Sequence, residues 1–152
     1  EGSPAEVAEA LRVGVFRHIT AKGLGSGLVS AGEVARSRSG DCTEHAVLLA
    51  ALLRARGIPA RVASGLVYVE DFVGAQGVFG YHMWTQALLD TGRGPRWVDV
   101  DAALDERWPT DATHIALSVS DLTDAGMTGD LWSVSVLPGR LGVDVLKVKF
   151  RR

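Results

Sequence analysis

The sequence contains very little cysteine, since Cys42 is the single cysteine among 152 residues. An internal disulfide is therefore excluded. One thiol is compatible with a reducing or an oxidising compartment, so cysteine content assigns no localisation. The chain also lacks an apolar run long enough to span a bilayer, and it has no recognisable signal peptide. We therefore expect no membrane segment in this chain.

An excess of positive charge is also missing. The 16 Lys and Arg residues are outnumbered by 18 Asp and Glu residues, which gives a formal net charge of −2. This balance argues against nucleic acid as a partner. Hydrophobic residues make up 47% and charged residues 22% of the chain, as in globular proteins. At this length, we predict a single domain over residues 1–152 that buries a substantial core.

The lone cysteine lies where a helix should begin. Asp41 is a favourable N-cap residue, residues 42–56 are rich in helix formers, and Gly57 followed by Pro59 predicts the helix end. A free cysteine is often simply a small buried side chain. In the first turn, however, the helix dipole and free N–H groups would stabilise a thiolate and an oxyanion. We also expect Gly40 to leave room for a substrate beside the nucleophile.

Strand patterns follow at 60–69, 81–89 and 96–101, and residues 70–80 predict a hairpin connection or a longer loop. His82 lies on the second predicted strand, on the same face as Trp84. An antiparallel neighbour would set a carboxylate of the third strand beside His82. Asp99 and Asp101 point to the same face of that strand, so alternation does not choose between them. Cys42, His82 and one of these carboxylates are the parts needed for nucleophilic acyl transfer.

The flanking segments predict structural elements. Ser3 with Glu6, and Ser30 with Glu33, form capping boxes that open a helix to about residue 21 and a short helix before Cys42. Strands are predicted at 114–119, 131–136 and 142–150, the last with one buried face. Within the single domain we therefore expect N-terminal helices in 1–40, a catalytic core in 41–121 and C-terminal strands in 122–152. Gly65 inside the first strand predicts either a bulge or a close contact with the helix.

Four motifs together resemble the transglutaminase-like core superfamily of bacteria. They are GDCTEHA at 40–46, LRARGIPARV at 53–62, YHMW at 81–84 and WVDVD at 97–101. The resemblance implies a papain-like α+β fold, in which a central helix begins at the catalytic cysteine and packs on an antiparallel sheet. It also implies a Cys-His-Asp triad in which Cys42 is the nucleophile, His82 the general base and acid, and Asp101 the carboxylate that orients the imidazole. Asp99 remains the alternative carboxylate, because Ala102 and Ala103 stand where the family usually has Pro-Thr.

The histidines and the fold each allow one other interpretation. His45 lies one helical turn after Cys42 and could join it in binding a metal with His82 or His114, but zinc sites usually draw on several Cys and His ligands at short spacing. We therefore expect no metal and no cofactor, and we interpret His45 and His114 as packed side chains. The chain could also be a non-catalytic interaction module of a larger protein, although such a module has no need of all three triad residues.

The resemblance thus implies a cysteine-dependent acyl transfer or hydrolysis on an amide or peptide substrate, through a thioester acyl-enzyme. The partner expected is a protein or peptide. Because the sequence begins at Glu1 without a methionine, we expect the chain to be part of a larger protein. Substrate identity, and the choice between crosslinking, deamidation and hydrolysis, do not follow from these residues.

Overall fold

The computed structural model describes residues 2–23, 29–72, 75–104, 113–123 and 141–147 of the chain. Within them lie α1 (Pro4–His18), α2 (Ala31–Ser37), α3 (Cys42–Ala55), β1 (Ala60–Phe72), β2 (Ala75–Asp90), β3 (Pro95–Val100) and β4 (His114–Ser120). All of these helices precede all of these strands. This segregation is typical of the α+β class, and the predicted fold class is confirmed.

Each of these helices begins with a capping box at a position predicted from the sequence. The pairs are Ser3 with Glu6, Ser30 with Glu33 and Asp41 with Glu44. In each pair the cap side chain accepts the N–H of the glutamate, and the glutamate side chain returns to the N–H of the cap. Helix α1 ends at His18, before the predicted end near residue 21, because Ile19 turns to an extended conformation.

The four strands form one antiparallel sheet in the order β3-β2-β1-β4. Strands β1 and β2 pair from Ala60 opposite Ala87 to Phe72 opposite Ala75. The predicted connection at 70–80 is therefore a hairpin whose strands continue almost to its tip. The alternative of a longer loop was wrong, because apolar and aromatic residues of the two arms pair across the ladder. Tyr68, for example, stands opposite Phe79, with ring centroids 5.5 Å apart.

Helix α3 packs on the sheet through its apolar sides. Its residues 44–50 and Leu53 are buried, which agrees with the prediction of a central buried helix. The Thr85 hydroxyl of β2 donates to the Ala46 carbonyl at 3.0 Å, so one hydrogen bond joins the two layers. Because side chains alternate along β2, the neighbouring His82 and Trp84 lie on the other face of this strand from Thr85.

A bulge interrupts the pairing of β1 with β4. Ser64 stands opposite Ser118, but Gly65 stands opposite Ala116, so Leu117 is the extra residue of β4. A Cβ added to Gly65 would overlap the carbonyl oxygen of Ile115. The bulge predicted from this glycine is confirmed. The alternative, a close contact with the helix, was wrong, because the nearest atoms belong to β4.

The C-terminal strand predicted at 142–150 was wrong for residues 142–147. These residues belong to no helix or strand and are exposed. Alternating apolar and polar residues form a strand only when a neighbour supplies the ladder, and no described strand pairs with them. The predicted strand at 131–136 lies outside the described residues. The division of the chain into parts 1–40, 41–121 and 122–152 stays a prediction.

None of the helices in the described parts of the chain is long and apolar enough to cross a membrane.

Candidate active site

Cys42 is the first residue of α3, and its side chain is partly exposed. Asp41 caps the helix by accepting the Thr43 N–H at 2.8 Å, and Glu44 accepts the Asp41 N–H at 2.8 Å. The capping box therefore fixes the backbone on both sides of the thiol. It also uses the N–H groups of Thr43 and Glu44, and it leaves the Cys42 N–H as the first-turn donor without a capping partner among the described residues.

Gly40 serves this cap and not the substrate space that we expected beside it. A Cβ at Gly40 would overlap the side chain of Glu44. Glu44 is only 3% exposed. Burial raises the pKa of its carboxyl group, against the lowering effect of the Asp41 N–H. The absence of a side chain at Gly40 therefore makes room for the buried capping glutamate behind Cys42.

His82, on β2, links the thiol to a carboxylate. Its Nε2 lies 2.6 Å from Asp101 Oδ2, and the Cys42 side chain is close enough to its ring to contribute to the raised pKa of His82. Since Nε2 is used by Asp101, Nδ1 is the ring nitrogen left for the thiol. Burial alone would lower the pKa of His82. The hydrogen bonds and negative charges of Asp101 and Cys42 outweigh burial and raise that pKa to about 10.

Asp101 lies directly after β3 and is 2% exposed. Its Oδ2 binds His82, while its Oδ1 accepts the Ala103 N–H at 2.8 Å. Burial would raise the pKa of Asp101, but hydrogen bonds from His114 and His82 and the charge of His82 hold it well below its usual range. The backbone is held as well, because Arg12 of α1 donates to the Asp101 carbonyl at 3.4 Å. Asp101 is therefore an oriented, ionised carboxylate.

Asp99 is engaged elsewhere. Its Oδ1 accepts the indole N–H of Trp84 and the amide N–H of Gln86, each at 2.7 Å. Gln86 stands opposite Asp99 in the ladder, whereas Asp101 lies beyond the last paired residue of β3, Val100. The structure thus brings Asp101, and not Asp99, to His82.

Two residues near this carboxylate were not singled out as site residues from the sequence. His114 opens β4 and places Nε2 3.1 Å from Asp101 Oδ2, and its side chain is fully buried. Arg12 is buried on α1 and pairs with Glu9 at 2.8 Å. A histidine at a strand start and an arginine within an apolar helix stripe were the available signals. Both are common in structural roles, and long-range pairing gives them their place here.

His45 takes no part in this cluster. It is 2% exposed, and its Nδ1 donates to the Asp41 carbonyl at 2.5 Å. Burial lowers the pKa of His45, which favours its neutral ring. The interpretation of His45 as a packed histidine agrees with this environment.

Three ligand atoms could hold a metal ion. Atoms of His82, Asp101 and His114 lie within 4.8 Å of one another, and His45 is not among them. Two imidazoles and a carboxylate suit several transition metals. The two Nε2–Oδ2 distances, 2.6 and 3.1 Å, are also hydrogen-bond lengths, so the arrangement is satisfied by protons alone.

The fold and the cysteine-centred site together define the class of this protein, a papain-like α+β protein with a thiol at the start of its central helix. A family model described as the transglutaminase-like superfamily matches residues 1–102, which include Cys42, His82 and Asp101. The chain belongs to the transglutaminase-like superfamily.

A solved structure gives the same indication. The crystal structure of a protein named as a putative cysteine protease from Cytophaga hutchinsonii is similar, with 26% identity and a TM-score of 0.51. The similarity covers 63% of this chain and 30% of that chain, so the match spans less than a third of the other protein. No curated protein matches this chain. The two similarities support membership of a cysteine-dependent enzyme family, without indicating the reaction.

Proposed function

We propose that the chain is a cysteine-dependent enzyme that transfers the acyl group of an amide or peptide substrate through a thioester. Cys42 is the proposed nucleophile, His82 the general acid and base, and Asp101 the carboxylate that orients His82. One observation carries the proposal: the Nε2 of His82 lies 2.6 Å from a buried carboxylate, while the Cys42 side chain beside the same ring helps to raise its pKa.

The charge state of the site supports an ion pair. With a pKa of about 10, His82 is an imidazolium at neutral pH. A positive charge beside a thiol favours the thiolate, which is the nucleophilic form. Asp101 sits on the opposite side of the ring and stabilises the imidazolium, as the carboxylate of a triad does. The site therefore has a nucleophile and a proton donor in place before the substrate binds.

In the first half of the reaction the Cys42 sulfur attacks the carbonyl carbon of the amide, and a negatively charged tetrahedral intermediate forms. The backbone N–H of Cys42, the first residue of α3, is the proposed donor to this oxyanion. The C–N bond then breaks, and His82 gives its Nδ1 proton to the leaving amine. The products are an amine, a neutral imidazole and a thioester on Cys42.

In the second half, water or an amine attacks the thioester carbonyl while His82 takes a proton from the attacking group. The C–S bond breaks and the thiolate is restored beside the imidazolium. Water yields a carboxylic acid, and an amine yields a new amide. The same residues therefore serve all three reactions. The acceptor, an amine or water, separates crosslinking from the other two, and the acyl donor, a side-chain carboxamide or a peptide bond, separates deamidation from peptide hydrolysis.

The first experiment measures the rate of iodoacetamide alkylation of the native protein from pH 5 to 9. Because Cys42 is the single cysteine, the modified mass reports on this thiol alone. We expect rapid alkylation at pH 6, at least about tenfold faster than in the same chain unfolded in urea. A free cysteine with a pKa of about 8.5 is mostly thiol at that pH.

Two controls make this test specific. His82→Gln removes the imidazolium, so its alkylation at pH 6 should fall to the rate of the unfolded chain. Cys42→Ala should abolish turnover of any substrate found, with less than about one per cent remaining. Native alkylation that rises only above about pH 8, as in the unfolded chain, would contradict the proposal and favour a non-catalytic interaction module.

Protein or peptide substrates are proposed for the same site, and the three reactions leave different products. Incorporation of a fluorescent primary amine into a glutamine-containing protein would indicate crosslinking. Release of ammonia without amine incorporation would indicate deamidation, and a new peptide N-terminus would indicate hydrolysis. Cys42→Ala is the matched control for all three assays, and the absence of every product with a broad peptide library would contradict a peptide substrate.

A further inference from the structure

His114 is a buried polar residue that the proposed mechanism does not use. Its side chain is fully buried, and its Nε2 lies 3.1 Å from Asp101 Oδ2, the oxygen that also binds His82 at 2.6 Å. The edge of its ring contacts Trp84, with centroids 5.0 Å apart. One carboxylate oxygen is therefore shared by two imidazoles on different strands.

We propose that His114 is a positioning residue of the site, which donates its Nε2 proton to Asp101 and thereby keeps this carboxylate ionised and directed at His82. The inference rests on the proposed function and adds a fourth side chain to the set that it requires. His114 acts through Asp101, since its described hydrogen bonds are to this carboxylate and to Thr113.

The direction of the hydrogen bond follows from the chemistry of the partners. An ionised carboxylate only accepts, so the Nε2 of His114 must carry the proton. In the neutral ring Nδ1 is then an acceptor, and the Thr113 hydroxyl lies 3.4 Å away as a weak donor to it. The neighbouring residue therefore supports the tautomer that the proposal needs.

Both carboxylate oxygens of Asp101 accept hydrogen bonds in this site. Oδ2 receives both imidazoles and Oδ1 receives the Ala103 N–H at 2.8 Å. In a site that is only 2% exposed, losing one donor leaves the negative charge short of a partner that water does not readily replace. Asp101 would then hold a proton more readily and support the charge of His82 less.

The bulge between β1 and β4 brings His114 to the same face of the sheet as His82. His82 stands opposite Gly65, and beyond the bulge Gly65 stands opposite Ala116, so His114 lies on the same face as His82. Without the extra residue of β4, the pairing before the bulge would continue and His114 would point to the other face. Because Gly65 has no side chain, the carbonyl group of Ile115 can approach it closely.

The test compares three substitutions of His114 in the whole chain. His114→Gln can present an amide N–H near the position of Nε2. His114→Asn places its amide near the position of Nδ1, out of reach of Asp101, and His114→Phe keeps a ring against Trp84 but has no donor. The measurement is the rate of Cys42 alkylation by iodoacetamide against pH, together with far-UV circular dichroism as a check on folding.

We expect His114→Phe and His114→Asn to move the acid limb of the alkylation profile upward by about one pH unit. At any pH below the midpoint of the wild-type limb, this shift corresponds to a rate about tenfold lower. His114→Gln should stay within about threefold of the wild type, because a donor to Asp101 is retained. A merely structural role would not produce this order, since Phe preserves the packing best.

A second measurement reads the hydrogen bond directly. In NMR spectra of the wild type we expect a far-downfield proton for His82 Nε2–H, which moves upfield in His114→Phe and remains in His114→Gln. Unchanged pH profiles and proton shifts in folded His114→Phe and His114→Asn would overturn the inference, and so would a His114→Gln variant as impaired as His114→Phe. Failure of the proposed function gives a different result, namely wild-type Cys42 that reacts like an ordinary thiol.

Discussion

Two carboxylates near the end of the same strand have different surroundings. Asp99 lies within β3, and one of its oxygens accepts the indole N–H of Trp84 and the amide N–H of Gln86 at 2.7 Å each. Asp101 lies just beyond the strand, and one of its oxygens binds the imidazoles of His82 and His114 at 2.6 and 3.1 Å. In each residue, one carboxylate oxygen thus accepts from two side chains.

The difference lies in the protons of those partners. Indole and amide N–H groups do not ionise near neutral pH, so Asp99 holds two neutral donors in place and the network is structural. Imidazoles do ionise, and the imidazole of His82, beside the thiol, has a pKa raised to about 10. The chemistry of the donors, more than their number or geometry, distinguishes the carboxylate that we propose for the triad from a structural one.

The largest expected effect separates these two carboxylates. Asp101→Asn should lower turnover by roughly three to four orders of magnitude, since an amide stabilises neither the imidazolium nor the required tautomer. Alkylation of Cys42 at pH 6 should fall at least about tenfold, so the prediction can be checked before a substrate is known. A fall of similar size in Asp99→Asn, with Asp101→Asn close to wild type, would reverse the assignment.

The next prediction concerns stability. His82→Gln breaks a buried ion pair and leaves Asp101 with fewer partners, which should lower the free energy of unfolding by about 3–5 kcal/mol. The side chain of His82 is only 10% exposed, so solvent screens the pair little. Urea unfolding of the wild type and of His82→Gln at several pH values gives the measurement.

The pH dependence of this loss has a definite sign. The folded pKa of His82, about 10, lies above its ordinary value, so its contribution is complete below about pH 6.5 and disappears as the pH rises towards 10. The pKa of Asp101 is lowered, so its contribution is complete above about pH 4 and is lost in acid. The free energies of unfolding of the wild type and of His82→Gln should therefore differ most between about pH 4 and 6.5. A gap that widens from pH 7 to 10 would contradict the pairing.

Gly65→Ala tests whether the position of β4 holds His114 at hydrogen-bond distance from Asp101. The new Cβ would overlap the Ile115 carbonyl, and backbone must move to relieve it. Overpacking of this kind costs about 1–3 kcal/mol. We also expect slower Cys42 alkylation at pH 6, because displacement of β4 weakens the bond from His114 to Asp101. Gly80→Ala is the control, since a Cβ there meets nothing within 4 Å.

The parts of the site that depend on local sequence were predictable. Asp41, Cys42 and Glu44 form a helix start whose capping rules act within one turn, and the structure has the helix beginning at Cys42. The alternation of β2 likewise put His82 and Trp84 on one face, and their rings lie nearly parallel with centroids 6.1 Å apart. Such predictions hold in the folded protein because the residues on which they depend are neighbours in the chain.

The parts of the site that depend on strand register were not predictable from the sequence. Alternation gave Asp99 and Asp101 the same face, and only the end of the β2–β3 ladder at Val100 separates their environments. His114 reaches the site through a single extra residue in β4, and a one-residue shift in pairing reverses every side chain beyond it. The alternating residues 142–147 show the converse, because a strand pattern without a pairing neighbour does not produce a strand.

Asp99→Asn should have a small effect. The amide keeps an oxygen that can accept from Trp84 and Gln86, so we expect a loss of stability of about 1 kcal/mol or less and a turnover within about tenfold of the wild type. Asp99→Ala removes the acceptor and leaves two donors unpaired near Trp84, which is 1% exposed, so it should cost about 1–3 kcal/mol. Equal stability of the two variants would show that the Asp99 hydrogen bonds contribute little.

The smallest expected effect is that of metal removal. The Nε2 atoms of His82 and His114 both lie at hydrogen-bond distance from Asp101 Oδ2, and a metal ion there would have to displace both protons. That exchange would cost the imidazolium that the thiolate needs. We therefore expect the alkylation rate of Cys42 at pH 6 to change less than twofold after dialysis against EDTA. A larger change, reversed by Zn²⁺ in the wild type but not in His114→Phe, would show that the two imidazoles and Asp101 bind a metal. The mechanism based on proton transfer would then lose its support, because the partners of Asp101 would no longer differ from those of Asp99 by their ionisable protons.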